Sequence, residues 1–350
     1  MSKWLSVIVV AFCALAWRIR DSIDVGRTIY NHRPGICRQV HGPVDGSEDI
    51  ELIRSEGVAF ITSGILSILH LHRAHINGKL FLYDFNQKLG KDQLNALDLH
   101  IKGELFDQKH FHPQGLTHWV VKGVIRLYVI NHSDDFKHSV EVFDYDPSGP
   151  ALNHKISIKH RRFVRPNDLV AVGPDQFIYT NDGYNGASVY YWDGKEPHRL
   201  LTGIITANGI AFDAKHDKLF VVETYHKRLN VYNLNKERRN ATLISHVDLK
   251  SSCDNLFIDQ DGSVFVGCHP VFHEVMRAMR DCEGPTTSPS QILHVKFDED
   301  YRKAVISEPY ANDGKELSGS SVATIYNNQM LIGSVCKGLL HCEIADHSVL

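Results

Sequence analysis

The chain has 350 residues, 43% of them apolar, and a formal net charge of −3 with acidic and basic side chains interspersed. That length suits two domains or one large β domain, and the apolar share supports a sizeable core. With no basic patch or stripe, no charged tail and no low-complexity tract, nothing in the composition points to nucleic acid as a partner.

The first predicted element is a hydrophobic leader. Lys3 precedes a mostly apolar stretch of 14 residues, Trp4 to Trp17, and Arg18 and Arg20 follow it. The stretch fits the h-region of a signal peptide and is short for a membrane-spanning helix. Ala14-Leu15-Ala16 resembles a cleavage site, whereas basic residues on both flanks also suit an uncleaved anchor. Residues 1–30 are read as a signal peptide or signal-anchor segment, and residues 31–350 as the globular part. The expected location is the secretory pathway: secreted, or held at the endoplasmic reticulum or plasma membrane with the globular part lumenal or extracellular. Contact with a membrane would run through the N-terminal segment.

From Glu48 onward one pattern recurs. "EDIELIRSEGVAFITSG", "QGLTHWVVKGVIRLYVINH", "NDLVAVGPDQFIYTND", "NGIAFDAKHDKLFVVET", "DNLFIDQDGSVFVGCHP" and "SSVATIYNNQMLIGSV" each carry a small or polar pair, an apolar strand, a turn and a second apolar strand. The pairs begin at Glu48, Gln114, Asn167, Asn208, Asp254 and Ser320, at spacings of 41 to 66 residues. Such a period predicts a repeat architecture, and four short strands per copy predict an all-β, six-bladed β-propeller. A β-sandwich would not place a polar pair at the same point of every copy.

In a propeller the innermost strands surround a central tunnel. Glu48, Gln114, Asn167, Asn208, Asp254 and Asn255 would then turn side-chain oxygens towards one centre, which is the ligand chemistry of calcium. Without an ion, Glu48 and Asp254 would repel each other in a desolvated channel. Asp49 and Asp168, one residue further on, would face deeper and hold a second ion. Turn propensity alone explains one Asn-Gly or Asn-Asp pair; it does not explain several in register.

Seven cysteines in a chain bound for an oxidising compartment raise the question of disulfides. Cys37 opens the globular part and Cys342 lies near its end, so a bridge between them would close the chain on itself. Spacing alone leaves the connectivity of Cys253, Cys268, Cys282 and Cys336 open. Asn240-Ala241-Thr242 is a glycosylation sequon in a polar stretch, whereas the sequon at Asn131 ends a strand-like run and is expected to be buried.

The motifs "GSEDIELIRSEGVAFITSG", "VINHSDDFKHSVEVFDYD", "PNDLVAVGPDQFIYTND", "ANGIAFD", "DNLFIDQDGSVFVGCHP" and "GSSVATIYNNQMLIGSV" resemble the paraoxonase/arylesterase family, in family order across residues 35–344. The resemblance implies a six-bladed propeller with two calcium ions in its tunnel that hydrolyses lactones, aryl esters and some organophosphates. It implies Glu48, Asn167, Asn208, Asp254 and Asn255 as ligands of the catalytic calcium. Asp49, Asp168 and the Leu116 carbonyl would serve the second ion. It also implies a Cys37–Cys342 disulfide and a retained leader.

The family's proposed base is a histidine dyad. One member matches His132; at the other position the chain reads Pro113-Gln114-Gly115, and glutamine accepts no proton at neutral pH. The family's long apolar lid is also shortened here to "GYNGASVYYW", which predicts an open, wetter mouth. An insert, "VFHEVMRAMRDCEGPTTSPS", follows Pro270; its first half reads as a short helix over the same face, where His269 and His273 offer substitute bases. Two readings follow. One is a calcium-dependent esterase or lactonase acting on a small ester or lactone. The other is a catalytically weak, membrane-anchored propeller that assists assembly of a membrane protein, since some nematode paraoxonase-like proteins are implicated in ion-channel assembly.

Overall fold

The computed structural model of the chain describes residues 3–66, 78–88, 93–133, 137–183 and 187–350. Among them, the strands form one eight-stranded, one five-stranded and three four-stranded sheets. The three four-stranded sheets are antiparallel meanders, begun by Pro166–Gly173, Ala207–Asp213 and Ser252–Ile258. The eight-stranded sheet is two halves, Ile50–Ile53 to Leu94–Asp98 and Cys37–His41 to Ser318–Tyr326. They join where Cys37–His41 pairs in parallel with Leu94–Asp98 and antiparallel with Leu340–Glu343. The N-terminal strand thus completes the sheet that the C-terminal strands begin.

The hairpins form where the apolar pattern and turn chemistry agree. Asn327 and Asn328, between Ser318–Tyr326 and Gln329–Lys337, have φ of 45° and 59°. Two successive positive φ values make the tight turn that matches strand twist, and asparagine tolerates them.

The leading strand of each unit lies beside that of the next: Ile50–Ile53, Pro113–Val121, Pro166–Gly173, Ala207–Asp213, Ser252–Ile258, Ser318–Tyr326, and back to Ile50–Ile53. The core sits between successive sheets. Tyr128, Ile130 and Val142 of one meet Leu169, Phe177 and Trp192 of the next, and Phe220, Val222 and Val231 meet Leu256, Val266 and Leu293 in the same way. Glycines permit the close approach of leading strands. A Cβ on Gly115 would sit 2.6 Å from Asp168 Cα, and one on Gly209 would sit 2.5 Å from the Asp254 carbonyl oxygen.

Three disulfides link Cys37 with Cys342, Cys253 with Cys268, and Cys282 with Cys336. The first agrees with the resemblance. The other two settle a connectivity that spacing had left open. Cys253 and Cys268 are directly opposed on adjacent strands, and Cys282 ties the insert to strand Gln329–Lys337.

Helix α1 (Lys3–Ser22) carries exposed apolar side chains from Val7 to Trp17. No helix among the described residues is long and apolar enough to cross a membrane. The segment after α1 packs on the body: Lys227 reaches Asp24 at 2.7 Å, and Arg27 donates to the carbonyls of Lys250 and Pro270. The insert forms a second helix, α2 (Phe272–Ala278), whose Val275 and Ala278 are buried. His273 donates to the Ile23 carbonyl at 2.8 Å, so the ring offered as a substitute base is committed to the N-terminal segment.

Candidate functional site

The polar pairs owe their exposure to the channel to backbone irregularity. In five leading strands the register shifts at the pair: between Pro113 and Leu116, Pro166 and Leu169, Ala207 and Ile210, Cys253 and Leu256, and Ser320 and Val322. A bulge frees its residues from the ladder and re-aims their side chains. Gln114, Asn167, Asn208, Asp254 and Asn255 all lie in these bulges, and Glu48 stands two residues ahead of its own strand, Ile50–Ile53.

Glu48, Gln114, Asn167, Asn208, Asp254, His132 and His269 line a cavity of about 770 Å³. Asn255 lies behind Glu48 and donates to its Oε1 at 3.1 Å. Glu48 Oε2, Asn167 Oδ1, Asn208 Oδ1 and Asn255 Oδ1 are buried and have no hydrogen-bond partner among the described residues. Orphaned buried oxygens are costly, and several together call for a cation. The Glu48 carboxyl is held well above the usual range, first by burial and then by Asp254, Asp49 and Asp168. Carboxylate and amide oxygens with no sulfur suit a hard cation, and these residues fit calcium. Among the described residues no three His, Cys, Asp or Glu side chains cluster as a metal site, because three of the five ring donors are asparagine amides.

Asp49 and Asp168 lie deeper and line a smaller cavity of about 240 Å³ with Leu116. Their oxygens are taken by backbone. Asp49 accepts from the N–H groups of Ile50 (2.8 Å) and Leu116 (2.9 Å), and Asp168 from those of Leu169 and Ile210, both at 2.7 Å. Each carboxylate therefore clamps its own leading strand to the next. Leu116, expected to contribute its carbonyl, donates its N–H to Asp49. Burial pushes Asp49 up to about 7, and burial with Asp49 nearby raises Asp168 well above the aspartate range.

The histidines are not equivalent. His132 is buried, with Nε2 2.7 Å from Gln114 Oε1 and Nδ1 2.8 Å from His138 Nδ1. Burial, with His138, His112 and Arg165 nearby, lowers its pKa to about 3. Both its nitrogens are engaged, so it has no lone pair for water. His269 is also buried; its Nε2 lies 3.2 Å from Asp254 Oδ2, and its Nδ1 has no partner among the described residues. A carboxylate only accepts, so Nε2 carries the proton and Nδ1 holds a lone pair. His138 escaped sequence reasoning. It sits across the strand pair from His132, and no pattern on its own strand marks it.

The insert lines the cavity on the face that its sequence suggested, and residues 184–186 of the shortened lid lie outside the described residues. Phe272, Val275, Met276 and Met279 of the insert line it; Phe272, Val275 and Met279 pack with Ile65, Leu66 and Val335 in one apolar cluster that contains the Cys282–Cys336 bridge. The insert supplies the apolar cover from a different point in the chain. Asn240 is exposed and Asn131 buried, as their sequence contexts suggest.

The chain is similar to known proteins in sequence and in fold. The chain is 29% identical to serum paraoxonase/lactonase 3 of Rattus norvegicus, covering 97% of this chain and 98% of the relative. It is likewise 29% identical to mechanosensory abnormality protein 6 of Caenorhabditis elegans, covering 99% and 96%. Among solved structures, the calcium-binding protein regucalcin of Agrobacterium tumefaciens superposes with a TM-score of 0.52 at 14% identity, over 90% of this chain and 96% of that one. This last likeness is one of fold, strand-rich and propeller-like. The arylesterase family model matches residues 30–344, and the chain belongs to the arylesterase family.

Proposed function

We propose that the protein is a calcium-dependent hydrolase of esters or lactones, built on a six-bladed propeller whose innermost strands surround the channel. The observation that carries this reading is the group of buried, partnerless oxygens on Glu48, Asn167, Asn208 and Asn255, at the floor of an apolar-walled cavity. With Asp254 they would hold the catalytic calcium; Asp49, Asp168 and Leu116 would serve a second ion in the smaller cavity. An ion held by Glu48, Asn167, Asn208, Asp254 and Asn255 would polarise the substrate's carbonyl or phosphoryl oxygen and stabilise the charge that develops there.

The chain's own groups do the rest. The α2 wall and Leu66 hold the apolar part of the substrate and limit water. His269, held at Nε2 by Asp254, is the base of this reading: its Nδ1 is buried and partnerless among the described residues, and would take the proton of a water admitted beside it. As the water oxygen bonds to the acyl carbon, its proton passes to Nδ1. When the carbon–oxygen bond of the ester breaks, that proton goes to the leaving alkoxide. Gln114 bridges Glu48 and His132 and takes up no proton at neutral pH. Residues 1–30 act as the leader or signal-anchor, and Asn240 as a glycosylation site, in a secretory setting that the three disulfides favour.

The test is hydrolysis of phenyl acetate and a δ-lactone by the purified protein, in calcium and in excess chelator. Calcium-dependent turnover supports the reading. A second reading is favoured by the likeness to mechanosensory abnormality protein 6 and by glutamine at position 114: a propeller that assists assembly of a membrane protein without turnover. Absence of turnover in calcium-loaded protein would select it.

A further inference from the structure

The apolar wall of the cavity is fastened at both ends, and one fastening comes from the start of the chain. Beyond α2, the Cys282–Cys336 bridge ties the insert to strand Gln329–Lys337. At the start of α2 the tie is made by residues 23–27. The Ile23 carbonyl, 250 residues before His273, accepts from the His273 Nδ1 at 2.8 Å and from its backbone N–H at 3.2 Å. Asp24 Oδ2 accepts from the Phe272 N–H at 3.3 Å, and Oδ1 accepts from Lys227 Nζ at 2.7 Å. Arg27 Nη1 donates to the Lys250 carbonyl at 2.5 Å and to that of Pro270 at 3.2 Å.

Two features mark this tie as more than casual packing. The first N–H groups of a helix have no partner within it. Val271, the residue ahead of α2, has no side-chain oxygen to offer them. The N–H groups of Phe272 and His273 are met by Asp24 and Ile23 instead. The second feature is backbone conformation. Asp24, Lys227 and Lys250, which meet at this contact, have φ of 59°, 54° and 56°. Side chains other than glycine and asparagine seldom adopt that left-handed region, and keep it only where the surroundings impose it. The Asp24 and Lys227 side chains are enclosed, at 7% and 16% exposure, so removing one leaves the other's charge in a poorly solvated place.

We infer that Asp24 is a positioning residue for the apolar part of the substrate: by holding the start of α2 it fixes the wall against which that part packs. Phe272, whose N–H it accepts, lines the cavity together with Val275, Met276 and Met279, whereas Asp24 itself does not. A substrate with a long acyl chain needs the wall in place, and one with an acetyl group needs it less. The inference rests on the hydrolase reading for its substrate. The placing of the wall depends neither on a cation nor on turnover.

The experiment compares the full chain with Asp24→Gly and Asp24→Asn by amide hydrogen exchange and by calorimetric binding of N-phenylhexanamide, the amide counterpart of phenyl hexanoate. Glycine accepts the left-handed backbone and removes the carboxylate; asparagine keeps an acceptor for the Phe272 N–H. In Asp24→Gly, exchange across residues 271–279 should quicken about 10-fold, the loss expected of one hydrogen bond to a charged group, while strands Pro166–Gly173 and Gln176–Asn181 keep their wild-type rates. The Kd for N-phenylhexanamide should rise with it, and so should the ratio of KM for phenyl hexanoate to KM for phenyl acetate. Asp24→Asn should lie closer to wild type. Arg27→Met should show the same pattern, and replaces Asp24→Gly if that chain does not fold. Unchanged exchange in α2, a quickening spread evenly over the sheets, or an unaltered Kd each overturn the inference. So does a wild type with no affinity for the amide. A wild type that binds the amide and turns over neither ester overturns the hydrolase reading alone.

Discussion

The side-chain amide of Asn255 donates to Glu48 twice, to its carbonyl oxygen and to its Oε1, each at 3.1 Å across 207 residues of sequence. This contact spans the channel side of two leading strands and holds the carboxylate by one oxygen. The other oxygen is left facing the cavity among partnerless amide oxygens.

Removing the cation should loosen the whole molecule. An ion bound by the native state alone stabilises it by RT ln(1 + [L]/Kd), about 2.7 kcal/mol at a hundredfold excess over Kd. Excess chelator should lower the melting temperature, and Asp254→Asn should shrink the difference between calcium and chelator. A melting curve indifferent to chelator would exclude a stabilising ion.

The calcium-free protein should also lose stability as pH rises. Asp49 has a folded pKa raised to about 7. A carboxyl raised in the native state binds its proton more tightly there than when unfolded, so its contribution is present below the unfolded value and lost through the folded one. Between the ordinary aspartate range and about pH 7, stability in chelator should fall more steeply in wild type than in Asp49→Asn. Urea unfolding across that window reads the difference.

His269→Gln should reduce kcat for phenyl acetate by about 10²- to 10⁴-fold, the usual share of a positioned base. Calcium affinity and melting should change little, since the glutamine amide still reaches Asp254. His132→Gln should cost less, because His132 offers no free nitrogen to water. Equal losses in the two variants would reverse the assignment.

Replacing Cys282 and Cys336 by serine should release the α2 wall. We expect KM to rise for an ester with a long apolar acyl chain and to stay nearly constant for an acetyl ester, because only the former reaches Met276 and Met279. Parallel KM changes for both substrates would mean that the bridge acts on stability alone.

Much of this arrangement was legible in the sequence, and the limits are physical. The six hairpins were readable because strand alternation and turn residues are local properties, and their shared polar pair gave the register. The bulges were not, since a shift of register at Asp254 leaves no trace in composition. The donor set was readable as residue types, but not the fact that Asp49 and Asp168 spend their oxygens on the next strand's backbone. Cysteine pairing and the apolar cover depend on which distant segments meet. His138 acquires meaning only through its neighbour across the strand pair.

The bridge between Cys37 and Cys342 spans 305 residues. During synthesis the first partner therefore waits for the last, and at ~5–20 residues per second that delay is roughly 15 to 60 s. Cys253 and Cys268, only 15 apart, pair almost as soon as both emerge. That early bond withdraws two competitors before Cys342 arrives. The order in which thiols leave the ribosome would thus favour the right partner for the closing strand. A Cys253→Ser chain, with Cys268 left unpaired, should accumulate mixed disulfides with Cys37 when the reduced chain is refolded under oxidising conditions, as non-reducing peptide mapping would read.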